Sequence, residues 1–221
     1  VGLSLAKGEF LVVYDAEDRP EAGQLRRALS HFANADSCLA VAQAWLVIDP
    51  RQKGFLPCHF RLEYAGLFCV LLPALARLGY PVPLGGTSNH FRTEVLREIG
   101  GWDAFNVTED ADIGLRLHRL GYRATVFSSQ TEEEAPSTLG AWLKQRSRWF
   151  KGWMVTFVVH MRDPKSLYAQ CGLVGSLAFF VLTSGIILSA LLEPWCLIAL
   201  LSYGVTQGLP AAKTEFGEAL L

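Results

Sequence analysis

Phe105-Asn106-Val107-Thr108-Glu109-Asp110-Ala111-Asp112-Ile113-Gly114 sets the acids Glu109, Asp110 and Asp112 immediately ahead of an apolar repeat. Ile113, Leu117 and Leu120 follow at i, i+4 and i+7, so the spacing predicts a helix with one buried face whose first turn holds the carboxylates. Thr108 is placed to cap it, and Gly121 to end it. An acid in a first helical turn gains roughly 0.3–1 kcal/mol from the helix dipole, which favours the ionised form. An ionised carboxylate fixed at a helix start can act as a general base, and it can also do no more than stabilise that start.

Two further stretches carry chemistry of their own. Phe10-Leu11-Val12-Val13-Tyr14 is the kind of short apolar run found buried in a parallel sheet, and it stops at Asp15-Ala16-Glu17-Asp18. Acids at the carboxyl end of such a strand stand where α/β folds bind ligands. The other is Trp142 to Trp153, in which Gln145, Arg146, Arg148, Trp149 and Lys151 lie close together on a helix starting near Ser137 or Thr138. Tryptophan with Lys and Arg also suits the headgroup zone of a membrane, and an interfacial role is compatible with ligand binding.

The elements needed to position these groups follow in chain order. Gln24 to Phe32 predicts an amphipathic helix with Leu25, Leu29 and Phe32 on one face, and Leu39 to Ile48 is a second apolar stretch closed by Asp49-Pro50. Arg61 to Leu78, interrupted by Pro73, predicts a core or interfacial helix, because it is short for a span once Arg61, Glu63 and Arg77 are excluded. Gly85-Gly86-Thr87-Ser88-Asn89 is either a plain turn or a place where backbone meets ligand closely. Thr93 to Ile99 predicts a short helix and Arg123 to Phe127 a strand. The Glu132-Glu133-Glu134 run then reads as an acidic loop. Cys171 to Leu192 lacks charge over roughly 22 residues, which at 1.5 Å per residue crosses a ~30 Å hydrocarbon core. Glu193-Pro194 marks its exit, and Trp195 to Val205 a further short apolar run. Lys144, Arg146, Arg148, Lys151, Arg162 and Lys165 precede the span, which predicts a cytoplasmic N-terminal part.

Composition narrows the classes. With 221 residues, 51% hydrophobic and a net charge of −1, the chain lacks the basic surplus that phosphate-backbone binding requires, so nucleic acid is set aside. Its five cysteines, Cys38, Cys58, Cys69, Cys171 and Cys196, are unpaired in any CxxC and predict buried free thiols. The histidines show no metal-ligand spacing. The chain opens on Val1 without a methionine or signal peptide, which predicts a segment of something longer.

Asp15-Ala16-Glu17, Thr108-Glu109-Asp110 and Gln145-Arg146-Ser147-Arg148-Trp149, in that order before an apolar span, resemble the D-x-D, T-E-D and Q-x-x-R-W signatures of membrane-integrated family 2 glycosyltransferases such as the cellulose synthases and related bacterial β-glycan synthases. The resemblance runs from about Glu9 to the span. It implies an α/β fold of GT-A (Rossmann-like) type, truncated at its N-terminus and followed by one or two transmembrane helices. Residues 1–165 would be a partial catalytic domain with an interfacial helix, and 166–221 a transmembrane region. It implies an inverting enzyme that moves a sugar from a nucleotide-sugar donor, usually a UDP-sugar, to a growing β-linked glycan at the cytoplasmic membrane face.

By the same resemblance Asp110 is the catalytic base, and Asp15 and Glu17 hold Mg²⁺ or Mn²⁺. Glu17 replaces the usual Asp, so Asp18 competes with it as a ligand. Glu109, Gln145, Arg146, Arg148 and Trp149 are implied substrate contacts, the arginines toward pyrophosphate or acceptor and Trp149 toward an acceptor ring. The implied partners are donor, glycan acceptor, lipid bilayer and accessory synthase subunits. The family's earlier uracil- and ribose-binding strands are missing, so this chain alone is expected to have little or no activity. A non-processive enzyme using a lipid-linked acceptor, a non-catalytic membrane remnant, and a structural cation site are the competing expectations.

Overall fold

The computed structural model describes residues 2–207. Its central strand is β3 (Leu39–Ile48), whose Val41, Ala42 and Ala44 are completely buried. β5 (Arg123–Glu133) runs parallel to it, while β4 (Asn89–Arg92) is antiparallel on the other side. β1 (Phe10–Val13) pairs antiparallel with β4, and the two-residue β2 (Arg19–Pro20) with β5, giving the order β1-β4-β3-β5-β2. Two antiparallel steps bring β1 into the same direction as β3 and β5. Their carboxyl ends therefore share one edge of the sheet, where Asp15, Asp49 and Glu133 emerge.

β1 is a half-buried end strand with one antiparallel neighbour, not the buried parallel strand its sequence suggests. A four-residue apolar run reads alike in both settings. β5 continues through Ser128–Glu133, beyond the strand end expected at Phe127 and into the Glu132-Glu133-Glu134 run expected as loop. Its inward polar residues Ser129 and Thr131 are buried against the Nε2 of Gln24, so a polar network replaces the apolar alternation. That network also turns α2 (Gln24–Ala33), which buries Gln24, Ala28 and Phe32 and leaves Leu25 and Leu29 about half exposed.

A long helical segment covers one face of the sheet: α3 (Phe55–Tyr64), a π-helical stretch (Ala65–Leu71) and α4 (Leu72–Arg77). Phe60, Tyr64, Phe68, Leu72 and Leu75 face the core, whereas Phe55, Leu62, Val70 and Leu78 are exposed. Pro73 falls where the π-helical stretch passes into α4, and the helical segment continues past it. Because α3, the π-helical stretch and α4 join into one helix, Phe55–Arg77 has 23 residues of mean hydropathy 1.3 and is, by length and composition, not too short to cross a membrane, as its sequence suggests it to be. One of its faces nevertheless packs on the sheet.

α5 (Thr93–Glu98) is short, and α6 (Glu109–Arg119) starts at the acidic stretch. Ile113 and Leu117 are buried as expected, but Leu120 is 54% exposed because the helix ends there and Gly121 turns away at φ 84°. α7 (Leu139–His160) is capped by Thr138, whose Oγ1 accepts from the Ala141 N–H at 3.2 Å. α8 (Pro164–Gln207) breaks at Gly172 and then runs unbroken through Pro194, so the expected exit and second short run are one helix. Its Pro164–Gly204 portion, of mean hydropathy 2.2, is long enough to cross a bilayer with residues to spare. Residues 208–221 of the expected membrane region lie outside the described residues. All five cysteines are free, yet none is fully buried: Cys38, Cys58 and Cys196 are exposed.

Candidate active site

A cavity of about 990 Å³ opens at the sheet edge where β1 and β5 end. Three of the segments that line it carry residues singled out from the sequence. The turn after β1 supplies Asp15, Glu17 and Asp18; the start of α6 supplies Glu109 and Asp110; one side of α7 supplies Gln145, Arg148 and Trp149. Stretches more than a hundred residues apart in sequence thus converge on one cleft.

The turn after β1 is held by Asp18, which accepts from the Asp15 N–H at 2.8 Å and from the Thr87 hydroxyl. Glu17 is exposed and has no hydrogen bond or ion pair among the described residues, which leaves its carboxylate open to a ligand. Partial burial and then the neighbouring charges of Asp18, Glu17 and Glu109 push the Asp15 carboxyl above its ordinary range. A divalent cation would relieve that crowding, and hard oxygen donors suit Mg²⁺ or Mn²⁺. No cluster of three or more His, Cys, Asp or Glu ligands occurs among the described residues, so ligand oxygens would have to complete the shell around Asp15 and Glu17.

Asp110 lines the same cavity. Its Oδ1 accepts from the Ala111 N–H at 2.8 Å, and a Cβ on Gly86 would stand 3.2 Å from its Oδ2. The expectation that the helix dipole would dominate this acid is corrected: burial raises the Asp110 pKa to about 6, with backbone N–H bonds and Arg148 pulling the other way. Thr108 occupies the cap position without a capping bond, its hydroxyl being turned toward Asn106 Oδ1 at 3.3 Å. A base with a pKa near 6 is ionised at neutral pH and still strong enough to take a proton. The rate of a reaction using it should therefore fall about tenfold per pH unit below pH 6, and a kcat/KM profile flat from pH 5 to 8 would exclude the role.

The glycines explain how backbone comes so close. A Cβ on Gly85 would lie 2.8 Å from Leu46 and 2.9 Å from the Phe68 ring, while its N–H reaches the Gln43 Oε1 at 2.9 Å. Gly85 therefore lets the backbone pass between the sheet and the π-helical stretch, against core side chains, while Gly86 leaves room for the Asp110 carboxylate.

Arg146 lies apart from the other α7 residues named from sequence. Its guanidinium makes a bidentate pair with Glu63 of α3 and stacks over Phe60 and Trp149, each at 4.7 Å, and over Trp142 at 5.6 Å. It braces Trp149 from behind the cavity wall. Sequence reading missed Glu133, which lines the cavity where it was expected in a loop. Tyr64 donates to its Oε2 at 3.0 Å, and burial raises the Glu133 pKa to about 7, with Asp18, Asp15 and Glu17 adding to the rise. Continuation of β5 through a polar stretch is what hid it. Trp153, one helical turn beyond Trp149, also lines the cavity.

The mixed sheet and the helices packed on it have the GT-A glycosyltransferase fold. In overall shape the chain is similar to the mannosyltransferase PcManGT from Pyrobaculum calidifontis, solved with GDP-Man and Mn²⁺: the TM-score is 0.53 at 19% identity, over 90% of this chain and 58% of that one. Residues 10–209 match the model of glycosyl transferase family group 2, and the chain belongs to that family. Among its relatives, a probable glycosyltransferase, YdaM, of Bacillus subtilis (strain 168) is 26% identical over 152 residues, 68% of this chain and 36% of that protein. Probable glucomannan 4-beta-mannosyltransferase 7 of Oryza sativa subsp. japonica is 26% identical over 152 residues, 65% of this chain and 25% of that protein. The chain thus spans about a third or less of the length of these relatives.

Proposed function

We propose that this chain carries the catalytic cleft of an inverting, membrane-bound glycosyltransferase that adds sugars from a nucleoside-diphosphate sugar to a β-linked glycan at the cytoplasmic face. The observation that carries this reading is the convergence of Asp15, Asp110 and Trp149 on one cavity. Asp110 takes the proton from the acceptor hydroxyl as that oxygen bonds to the anomeric carbon, and the bond from that carbon to the diphosphate oxygen breaks on the opposite side. One displacement inverts the anomeric centre. Asp15 and Glu17 would hold a divalent cation, which supplies charge neutralisation to the departing diphosphate. Arg148 faces the same space and offers bidentate contacts to phosphate or acceptor oxygens. Gln145 has a buried Oε1 without a protein partner, suited to a sugar hydroxyl, and Trp149 offers a ring face for stacking.

The donor base is the open choice, since the family resemblance points to UDP and the Pyrobaculum calidifontis neighbour holds GDP-Man. Membranes containing the full-length protein, supplied with Mn²⁺ and UDP- or GDP-sugars, are expected to release nucleotide and extend a glycan. Chelation should abolish both and restored Mn²⁺ should return them; activity unchanged by chelation would defeat the cation assignment. The bare apolar surface of α8 beyond Leu188, including Leu191, Trp195, Ile198 and Leu201, fits lipid contact.

A further inference from the structure

α7 is 22 residues long, and only Gly152, Thr156 and His160 are buried along it. Their spacing of i, i+4 and i+8 puts them on one stripe, and each meets a residue at or near the start of α6. A Cβ on Gly152 would stand 2.4 Å from the Thr108 side chain, so the two elements touch with nothing between them. Asn106 Nδ2 donates to the Thr156 hydroxyl at 2.7 Å, while Asn106 Oδ1 accepts from the Thr108 N–H at 3.1 Å. His160 Nε2 lies 3.0 Å from Asp112 Oδ1. On the other side of the ring, Arg119 Nη1 lies 3.0 Å from His160 Nδ1, and Arg119 Nε donates to Gln170 Oε1 of α8 at 2.6 Å. A guanidinium can only donate, so Nδ1 carries the lone pair and Nε2 the hydrogen that goes to Asp112.

We propose that Asn106–Thr156 and Asp112–His160 are positioning pairs, a buried polar seam that sets the register of the helix bearing Asp110 against the helix bearing Gln145, Arg148 and Trp149. The inference rests on the reading of Asp110 as the base. Apolar contact alone would hold the helices together yet tolerate sliding; directional bonds at two points along the stripe fix both shift and rotation. Asp110 lies two residues before Asp112 on one side of the seam, and Trp149 lies seven before Thr156 on the other. A displacement near 1 Å between them misplaces the base relative to the acceptor, and errors of that size cost up to about 10²-fold in rate.

The test is steady-state kinetics of the full-length protein in membranes, with thermal midpoints, for His160→Leu, His160→Gln and Thr156→Val. His160→Leu removes both ring bonds at similar bulk, whereas His160→Gln keeps one donor and one acceptor. The expected result is a 10- to 100-fold fall in kcat for His160→Leu at a donor KM within about twofold of wild type, with His160→Gln recovering most of the loss. Thr156→Val, which preserves shape and removes only the Asn106 bond, should lower kcat about tenfold at unchanged donor KM, and it carries the test if His160→Leu does not fold. Wild-type kcat per folded molecule in Thr156→Val, or in folded His160→Leu, would overturn the seam. An active Asp110→Asn would instead overturn the base assignment, so the two failures are told apart.

Discussion

Asp110→Asn is expected to lower kcat by about 10³-fold while leaving donor binding unchanged and raising thermal stability. General-base removal costs typically 10²–10⁴-fold, and each factor of ten is about 1.36 kcal/mol of barrier. Asparagine keeps the oxygen that accepts the Ala111 N–H at 2.8 Å, so the start of α6 retains its shape. The stability effect has the opposite sign from that of an ordinary surface acid. Burial raises this carboxyl from 3.8 to about 6. Its stabilising contribution is full below its unfolded pKa and is lost as pH rises through 6, so at pH 8 the native state carries an ionised group it disfavours by up to about 3 kcal/mol. The neutral amide escapes that penalty. A variant that loses turnover and gains melting temperature at pH 8, with the gain vanishing near pH 4, would fit a carboxylate retained for chemistry. Loss of both together would point to a structural acid.

Gly114→Ala should have the largest effect on folding. A Cβ there would lie 2.0 Å from the Val82 carbonyl oxygen and 3.1 Å from Leu84 Cγ, a backbone clash that no rotamer relieves. Alanine favours a helix over glycine by about 1 kcal/mol, but overpacking against fixed backbone costs 1–3 kcal/mol or more and outweighs it. The expected outcome is a loss of about 3 kcal/mol, or no folded protein, measured by denaturant titration. Gly140→Ala is the control: nothing lies within 4 Å of its Cβ, so it should be neutral or slightly stabilising. If both substitutions behave alike, the close contact of α6 with the Val82–Leu84 segment is wrong. That contact matters for chemistry because it seats the helix whose first turn carries Glu109 and Asp110.

Motifs with strong local grammar were readable in the sequence. Asp15 and Glu17 after an apolar run, Asp110 at a helix start, and Gln145 with Trp149 all reach one cleft, since strand ends and helix starts fix where such residues point. Features decided by distant partners were not readable. Leu25 and Leu29 fit an inward stripe by spacing, yet Gln24 takes the buried place because Tyr14, Ser129 and Thr131 satisfy its amide. Glu133 looked like loop because a buried strand face built of serine and threonine has no hydrophobic alternation. Arg146 could not be separated from Arg148 by type. They differ by about 200° around α7, and only the presence of Glu63 on α3 shows which way Arg146 turns. Pro194 suggested an exit, but a proline in a long apolar helix can be carried without ending it.

The central claim is that a cation-held diphosphate and the Asp110 carboxylate meet in a single cleft. Its most direct test is a structure of the full-length protein with Mn²⁺ and a nucleoside diphosphate, with the metal located by anomalous scattering. The predicted result is manganese bound at Asp15 and Glu17, with the terminal phosphate directed across the cavity toward Asp110 and Arg148. Manganese or diphosphate bound outside this cavity, with Asp15 and Glu17 left in solvent, would contradict the account.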